Sequence, residues 1–299
     1  MKIGIDLGGT KVEIIALDET PDGLVECYRK RVATPSSSYS LILDTLCSLV
    51  LDAEQELGQQ GSVGIGIPGT ISPATNKVKN ANTICLIGHS MQDDLEQRLA
   101  RPIRISNDAN CMTVSEASDG AAAGAEVVFG VIIGTGCGGG IVVNKQIITG
   151  QNSVTGEWGH NNMPWRRKHE GIRIPCYCGH DNCIETYLSG PGLVKRYRAT
   201  GEEAVNVQDI TARAEAGYEP AEEILQAYEE NMAKALASVI NILDPNVIVL
   251  AGGLSNIQRL YKNVPLRWGP YVFSDTVTTE LKQAVHGDSS GVRGAAWLW

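Results

Sequence analysis

The chain has 299 residues, of which 43% are apolar and 20% charged, with 25 Lys and Arg against 34 Asp and Glu for a formal charge of −9. That length suits about two domains with real cores, and the composition excludes a disordered or fibrous chain. The acidic balance argues against a protein built to grip nucleic acid or an anionic membrane, yet it leaves room for a local phosphate site made of backbone amides.

In chain order, residues 3–6 and 12–17 read as strands joined by a tight hairpin at Gly8-Gly9. Ile42, Leu46, Leu49, Val50, Ala53 and Leu57 recur at helical spacing, and Gly58 and Gly61 end that helix. Residues 63–67 read as a buried strand, followed by turns at Pro68-Gly69 and Ser72-Pro73. A strand at 103–105 and an Ala-rich helix at 109–123 follow. The pattern then restarts: strands at 127–133 and 140–143 flank glycine-rich residues 134–139, a helix spans 220–243 before Pro245, and a strand at 247–250 opens into Gly252-Gly253. The stretch 256–283 shows no clear pattern. This weak internal symmetry predicts two α/β lobes around a cleft, the smaller at 1–118 and the larger at 119–299, with the last helix packing back on the first lobe.

No apolar run nears the ~18–20 residues needed to span a bilayer, and the first strand pattern begins directly after Met1-Lys2. A cytoplasmic protein with reduced thiols is expected.

Glycine stands out at 33 residues, above the usual share of about 7%. Residues 4–11 nearly match a P-loop, but Thr10 and Lys11 are in the wrong order and a strand follows. Residues 64–69 and 134–139 both fit G-x-G-x-x-G, but neither opens a helix, so a Rossmann site is disfavoured. Two glycine hairpins offering amides to a triphosphate fit better. Asp6 would hold the hydration shell of Mg2+, with Thr10 and Lys11 beside the phosphates.

Ser106-Asn107-Asp108-Ala109-Asn110 follows a strand and opens a helix. A polar cap explains one of these residues; a carboxylate there could also act as a general base beside a helix N-terminus that favours phosphate. Cys176, Cys178 and Cys183 supply three thiolates, with His160, His169 and His180 competing to complete a closed, structural zinc site. The basic run 166–168 reads as a solvated loop.

Taken together, Asp6-Leu-Gly-Gly-Thr-Lys11, Asn107-Asp-Ala-Asn110, Gly134-Thr-Gly136, Glu157-Trp-Gly-His160, Cys176-Tyr-Cys-Gly with Cys183-Ile-Glu185, and Gly252-Gly253 resemble, in order and almost end to end, the repressor/open-reading-frame/kinase (ROK) family of sugar kinases. The resemblance implies a two-lobed, actin-like ATPase (ribonuclease H-like) fold, ATP with Mg2+, and Zn2+ on His160, Cys176, Cys178 and Cys183. It implies that Asp108 is the base for a sugar 6-hydroxyl, with Gly69, Asn82, Asn107, Glu157, His160 and Glu185 binding the sugar. The nucleotide would meet Gly4, Asp6, Gly8, Gly9, Thr10, Lys11, Gly252 and Gly253, together with Ile133, Gly134, Thr135, Gly136, Cys137, Gly138, Gly139 and Gly140. Asn182 stands where the family usually has glycine, and Asn tolerates the positive φ that turn requires.

Residues 79–82, 115–124, 157–160 and 176–178 are most similar to the bacterial fructokinase/mannokinase branch, which implies transfer of the γ-phosphoryl group of ATP to fructose or mannose. N-acetylglucosamine kinase and glucokinase are the alternatives. The family's repressors carry a helix-turn-helix before the first hairpin, for which the sequence leaves no room, so a regulator is disfavoured. A homodimer without nucleic-acid or membrane partners is expected.

Overall fold

The chain folds as two five-stranded sheets with the same strand order, in a computed structural model that describes residues 1–20, 23–81, 83–166 and 173–299. In the first, β1 (Lys2–Leu7), β2 (Lys11–Thr20) and β3 (Gly23–Ala33) form an antiparallel meander. Next come α1 (Tyr39–Leu57), β4 (Ser62–Ile67), a ribbon of β5 (Thr70–Ile71) and β6 (Val78–Lys79), α2 (Met91–Leu99) and β7 (Ile103–Asn107). The order is β3-β2-β1-β4-β7, with β1, β4 and β7 parallel. After α3 (Asp108–Ser118), the second sheet repeats this plan with β8 (Val127–Ile133), β9 (Cys137–Val143), β10 (Gln146–Ile147), β11 (Val247–Ala251) and β12 (Glu280–Gln283). Its order is β10-β9-β8-β11-β12, with β8, β11 and β12 parallel. Helices α4 (Glu185–Leu188), α5 (Gly190–Arg198), α6 (Val207–Glu215) and α7 (Glu219–Leu243) lie between β10 and β11 in sequence. Helices α8 (Arg259–Asn263) and α9 (Pro265–Trp268) precede β12, and α10 (Ser290–Ala296) follows it. This is the two-lobed, actin-like fold that the sequence implies.

The internal symmetry is therefore real, and where the pattern misleads there is a physical reason. β3 escapes a pattern search because most of its side chains face solvent on a charged sheet edge. The helix expected at 109–123 stops at Ser118 because Glu116 turns back on it: its Oε2 accepts the Ala121 N–H at 2.8 Å and fills the space a side chain at Gly120 would need. β9 begins at Cys137, so the second glycine turn is confined to residues 134–136.

Between the sheets lie α3 and α10, packed on each other. Residues Ala109 to Ala117 of α3 are all buried, as a helix covered on every side must be. Such close crossing needs glycine. A side chain at Gly130 or Gly140 would strike Thr113 of α3, one at Gly294 would overlap the Cys111 carbonyl, and ones at Gly4 and Gly64 would overlap α10. Buried Glu116 locks the pair at its far end. Its carboxylate also accepts from the N–H groups of Val285 (3.0 Å) and His286 (3.1 Å) and from the Ser290 hydroxyl (2.8 Å). Four donors satisfy a charge that would otherwise be costly to bury. The chain end returns to the first lobe, where Trp299 donates from Nε1 to the Val63 carbonyl at 2.7 Å and Arg104 stacks over its ring. Among the described residues no helix is long and apolar enough to cross a membrane.

Gly294→Ala should cost at least about 2 kcal/mol, because backbone rather than a flexible side chain occupies the space. Chemical denaturation checks this; an unchanged midpoint would refute the packing account.

Candidate active site

In parallel sheets the carboxyl ends of the strands are where ligands gather. Asp6, next to the end of β1, lies opposite Gly66 of β4, and Ile67 of β4 lies opposite Asn107 of β7. The strand register therefore brings Asp6, the 66–69 turn and Asn107-Asp108 to one edge. Asn107 caps α3 by accepting the Asn110 N–H at 2.8 Å, which places Asp108 in the first helical turn with its Oδ1 2.8 Å from the Ala109 N–H. Asp108 faces open solvent, yet protein crowds it at longer range. That crowding pushes its carboxyl above the ordinary value, the Ala109 N–H opposes the push, and the charge of Glu157 adds to it. Asp6 is lodged between Gly66 and Gly291, where burial first, and then the charges of Asp108 and Glu13, raise it to about 6. Gly69 adopts φ of 95° and packs against residues 79–81.

One glycine turn in each sheet offers free amides. Gly8 N–H is used by the Lys11 carbonyl, and Gly134 N–H by the Gly136 carbonyl, each closing its turn. Among the described residues the N–H groups of Gly9, Thr10 and Thr135 donate to no backbone carbonyl, and all three residues are exposed. A cavity of about 770 Å³ opens beside Gly134, Thr135 and Gly253 and runs under Pro191, Val194, Lys195 and Arg198 of α5 to Asn206, Val207 and Gln208 at the start of α6. Its size suits a nucleoside, with glycine turns at one end. None of the α5 and α6 residues was legible in the sequence, because surface residues of unremarkable helices carry no motif.

Not every expected nucleotide glycine fits that role. Gly4, Gly139 and Gly140 are buried. Gly4 lies under α10, Gly139 against Trp158 and Phe129, and Gly140 under α3. They serve close packing, and this corrects the expectation for those three. Gly252 holds φ of 85° against the Ile133 carbonyl, while Gly253 is open. Cys137 is buried, and its N–H donates to Glu185 Oε2 at 3.0 Å, so Glu185 ties the second turn to the cysteine loop. Gly138 carbonyl accepts from Trp158 Nε1 at 3.2 Å, holding the Glu157–His160 turn beside it. Glu157 and His160 are half-buried there. Asn82 lies outside the described residues, as do His169 and residues 167–168 of the basic run.

His160, Cys176, Cys178 and Cys183 converge, with one ligand atom from each lying within 4.8 Å of the others. Cys178 Sγ is 3.6 Å from Cys183 Sγ, and Cys176 Sγ is 3.6 Å from His160 Nδ1. Bonds of about 2.3 Å in a tetrahedral site give edges of roughly 3.8 Å, so the donor set fits a closed zinc centre. His180 is exposed and outside the cluster. Asn182 adopts φ of 58° and its Oδ1 accepts the Ile174 N–H, so the turn holds without glycine.

With the site in place, the chain can be set beside known proteins. The model of the ROK family matches residues 2–299. The chain belongs to the ROK family. It is 38% identical to an N-acetyl-D-glucosamine kinase of Yersinia enterocolitica, over 100% of this chain and 99% of that protein. An N-acetyl-D-glucosamine kinase of Pectobacterium carotovorum is 39% identical over 100% and 98% of the two chains. Among solved structures, a ROK hexokinase from Thermus thermophilus aligns with a TM-score of 0.87 at 26% identity, covering 99% of this chain and 97% of that one. A ROK glucokinase from Streptomyces griseus, solved with glucose and AMPPNP, aligns at 0.76 and 26%, covering 99% and 98%. The chain is a sugar kinase of the ROK family.

Purified protein should carry about one zinc per chain, and Cys178→Ser should lower both metal content and melting temperature. Elemental analysis after chelation decides it; less than half an equivalent in the untreated protein would count against a structural metal.

Proposed function

We propose that the protein is an ATP-dependent hexose 6-kinase, with N-acetylglucosamine as its leading substrate. The observation that carries the chemistry is Asp108 at the N-terminus of α3, its carboxyl pushed upward and open to the cleft. Such a group can take the proton of a sugar 6-hydroxyl as that oxygen bonds to the γ-phosphorus of ATP and the bond to the bridging oxygen breaks, leaving ADP. The helix N-terminus beside it favours the charge on the transferring group. Glu157 and Glu185 would accept hydrogen bonds from other sugar hydroxyls, with Gly69, Asn82 and the Asn107 amide lining the same pocket and the His160 ring beside them. On the nucleotide side, Gly8, Gly9, Thr10 and Lys11 of the first turn and Gly134, Thr135 and Gly136 of the second, with Gly138 next to it, would meet the phosphates, while Gly252 and Gly253 border the base pocket; Ile133 and Cys137, also expected there, are buried and only flank the turn. Asp6 would hold the water shell of Mg2+, which when bound neutralises phosphate charge. A metal on His160, Cys176, Cys178 and Cys183 would fix the loop that presents His160.

The named relatives favour N-acetylglucosamine over the expected fructose. Fructose or mannose remains a second reading, supported by the similarity of residues 79–82, 157–160 and 176–178 to that branch. Identity near 38% fixes the reaction class more firmly than the sugar, since a few pocket contacts decide selectivity. A coupled assay with ATP over N-acetylglucosamine, glucose, mannose and fructose separates them; the highest kcat/KM names the substrate, and no turnover of any hexose overturns the kinase proposal.

Asp108→Asn should lower kcat by about 10²–10⁴-fold with both substrates still bound, and retained turnover would remove Asp108 as the base. Because the carboxyls of Asp6 and Asp108 are both raised, each gains its proton as pH falls, and activity needs both deprotonated. The rate should therefore fall on the acid side near pH 6, well above the ordinary Asp range. A pH profile flat from 5 to 8 would contradict this.

A further inference from the structure

The His160 ring has two nitrogens with different neighbours. Nδ1 is 3.6 Å from Cys176 Sγ, within the metal-ligand cluster, and Nε2 is 3.0 Å from the Tyr177 hydroxyl. With a metal held on Nδ1, the proton would sit on Nε2 and the phenol oxygen would accept it. Among the described residues, nothing then accepts the phenol's own proton. Tyr177 is the middle residue of Cys176-Tyr-Cys178, so the backbone on both sides of it is held by ligand positions, while its side chain is 82% exposed. The ring meets that of His160 edge-on, with centroids 5.1 Å apart, and is otherwise open to solvent. His160 and Glu157 stand at the two ends of one short turn, and Glu185 lies two positions beyond Cys183 of the same cluster, so the phenol that meets the His160 ring stands beside the segments that carry both carboxylates.

We propose that the Tyr177 hydroxyl donates a hydrogen bond to a sugar oxygen other than the phosphorylated one, and so helps select among hexoses; this rests on the hexose-kinase reading above. The chemistry is complementary. Glu157 and Glu185 are acceptors only, so a sugar hydroxyl that donates to them still has lone pairs to satisfy. A neutral donor beside them, polarised by the His160 N–H, supplies what the carboxylates lack.

The test is Tyr177→Phe, which removes one oxygen and keeps the ring. Steady-state kinetics with each substrate varied, zinc content, and calorimetric sugar binding without nucleotide are measured on wild type and variant. The sugar KM should rise roughly three- to tenfold, as loss of one neutral hydrogen bond predicts. The ATP KM, kcat and zinc content should stay within about twofold, and the kcat/KM ratio between N-acetylglucosamine and mannose should shift. An unchanged or lower sugar KM overturns the proposal, as does a rise in KM accompanied by loss of zinc, which would make Tyr177 a support for the metal loop. Wild-type protein that turns over no hexose would overturn the kinase reading and this inference together; an active wild type with an indifferent variant would overturn only the inference.

Discussion

The whole molecule turns on the close crossing of α3 with α10 between two sheets. Neither helix could approach so closely over ordinary side chains, and glycine at 4, 64, 130, 140 and 294 removes the obstruction where backbone meets backbone or Thr113. The crossing is also where the lobes join. Glu116 gathers donors from residues 121, 285, 286 and 290 and so ties the end of α3 to the start of α10. Because α3 is held at one end by this carboxylate and capped at the other by Asn107, Asp108 is placed by a helix whose residues 109–117 are all buried. The general base proposed at this position would gain from that rigidity, since small errors of placement are expensive in rate.

Around that axis the site divides by chemistry. The first lobe contributes carboxylates, Asp6 and Asp108, at the ends of parallel strands. Both lobes contribute amides, from Gly9 and Thr10 in the first and from Thr135 in the second, which also holds the roomy cavity beside its turn. Glu185 spans the division: it accepts from Cys137 beside the glycine turn and stands two positions after the Cys183 ligand position. The cysteine cluster is thus coupled through Glu185 to the glycine turn and through His160 to the Glu157–His160 turn. The acidic surface of the chain does not conflict with phosphate binding, because the amides that face the cleft carry no formal charge.

How much of this was legible depended on what kind of signal each residue left. The two hairpins, the buried parallel strands and α1 declare themselves by apolar spacing, and the recurrence of the plan in the second sheet follows from it. Asn107-Asp108, the cysteine spacing and the glycine turns declare themselves by residue type. β3 did not, since an exposed edge strand has no apolar face to show. The glycines misled in part: Gly139 and Gly140 sit next to a phosphate-like motif in sequence, but a glycine for close packing and a glycine for a ligand look the same until the neighbouring helix is present.

By itself, then, the sequence determined the chemistry available: which carboxylates, thiols and glycines exist, in what order, and the repeated α/β plan that carries them. Its local patterns are enough for that because periodicity and turn chemistry act over a few residues. Only the tertiary structure decided which of those groups meet. It chose His160 over His180 as partner of three cysteines, assigned α5 and α6 to the cavity, and turned Tyr177 onto His160, because those contacts join residues that no local rule relates.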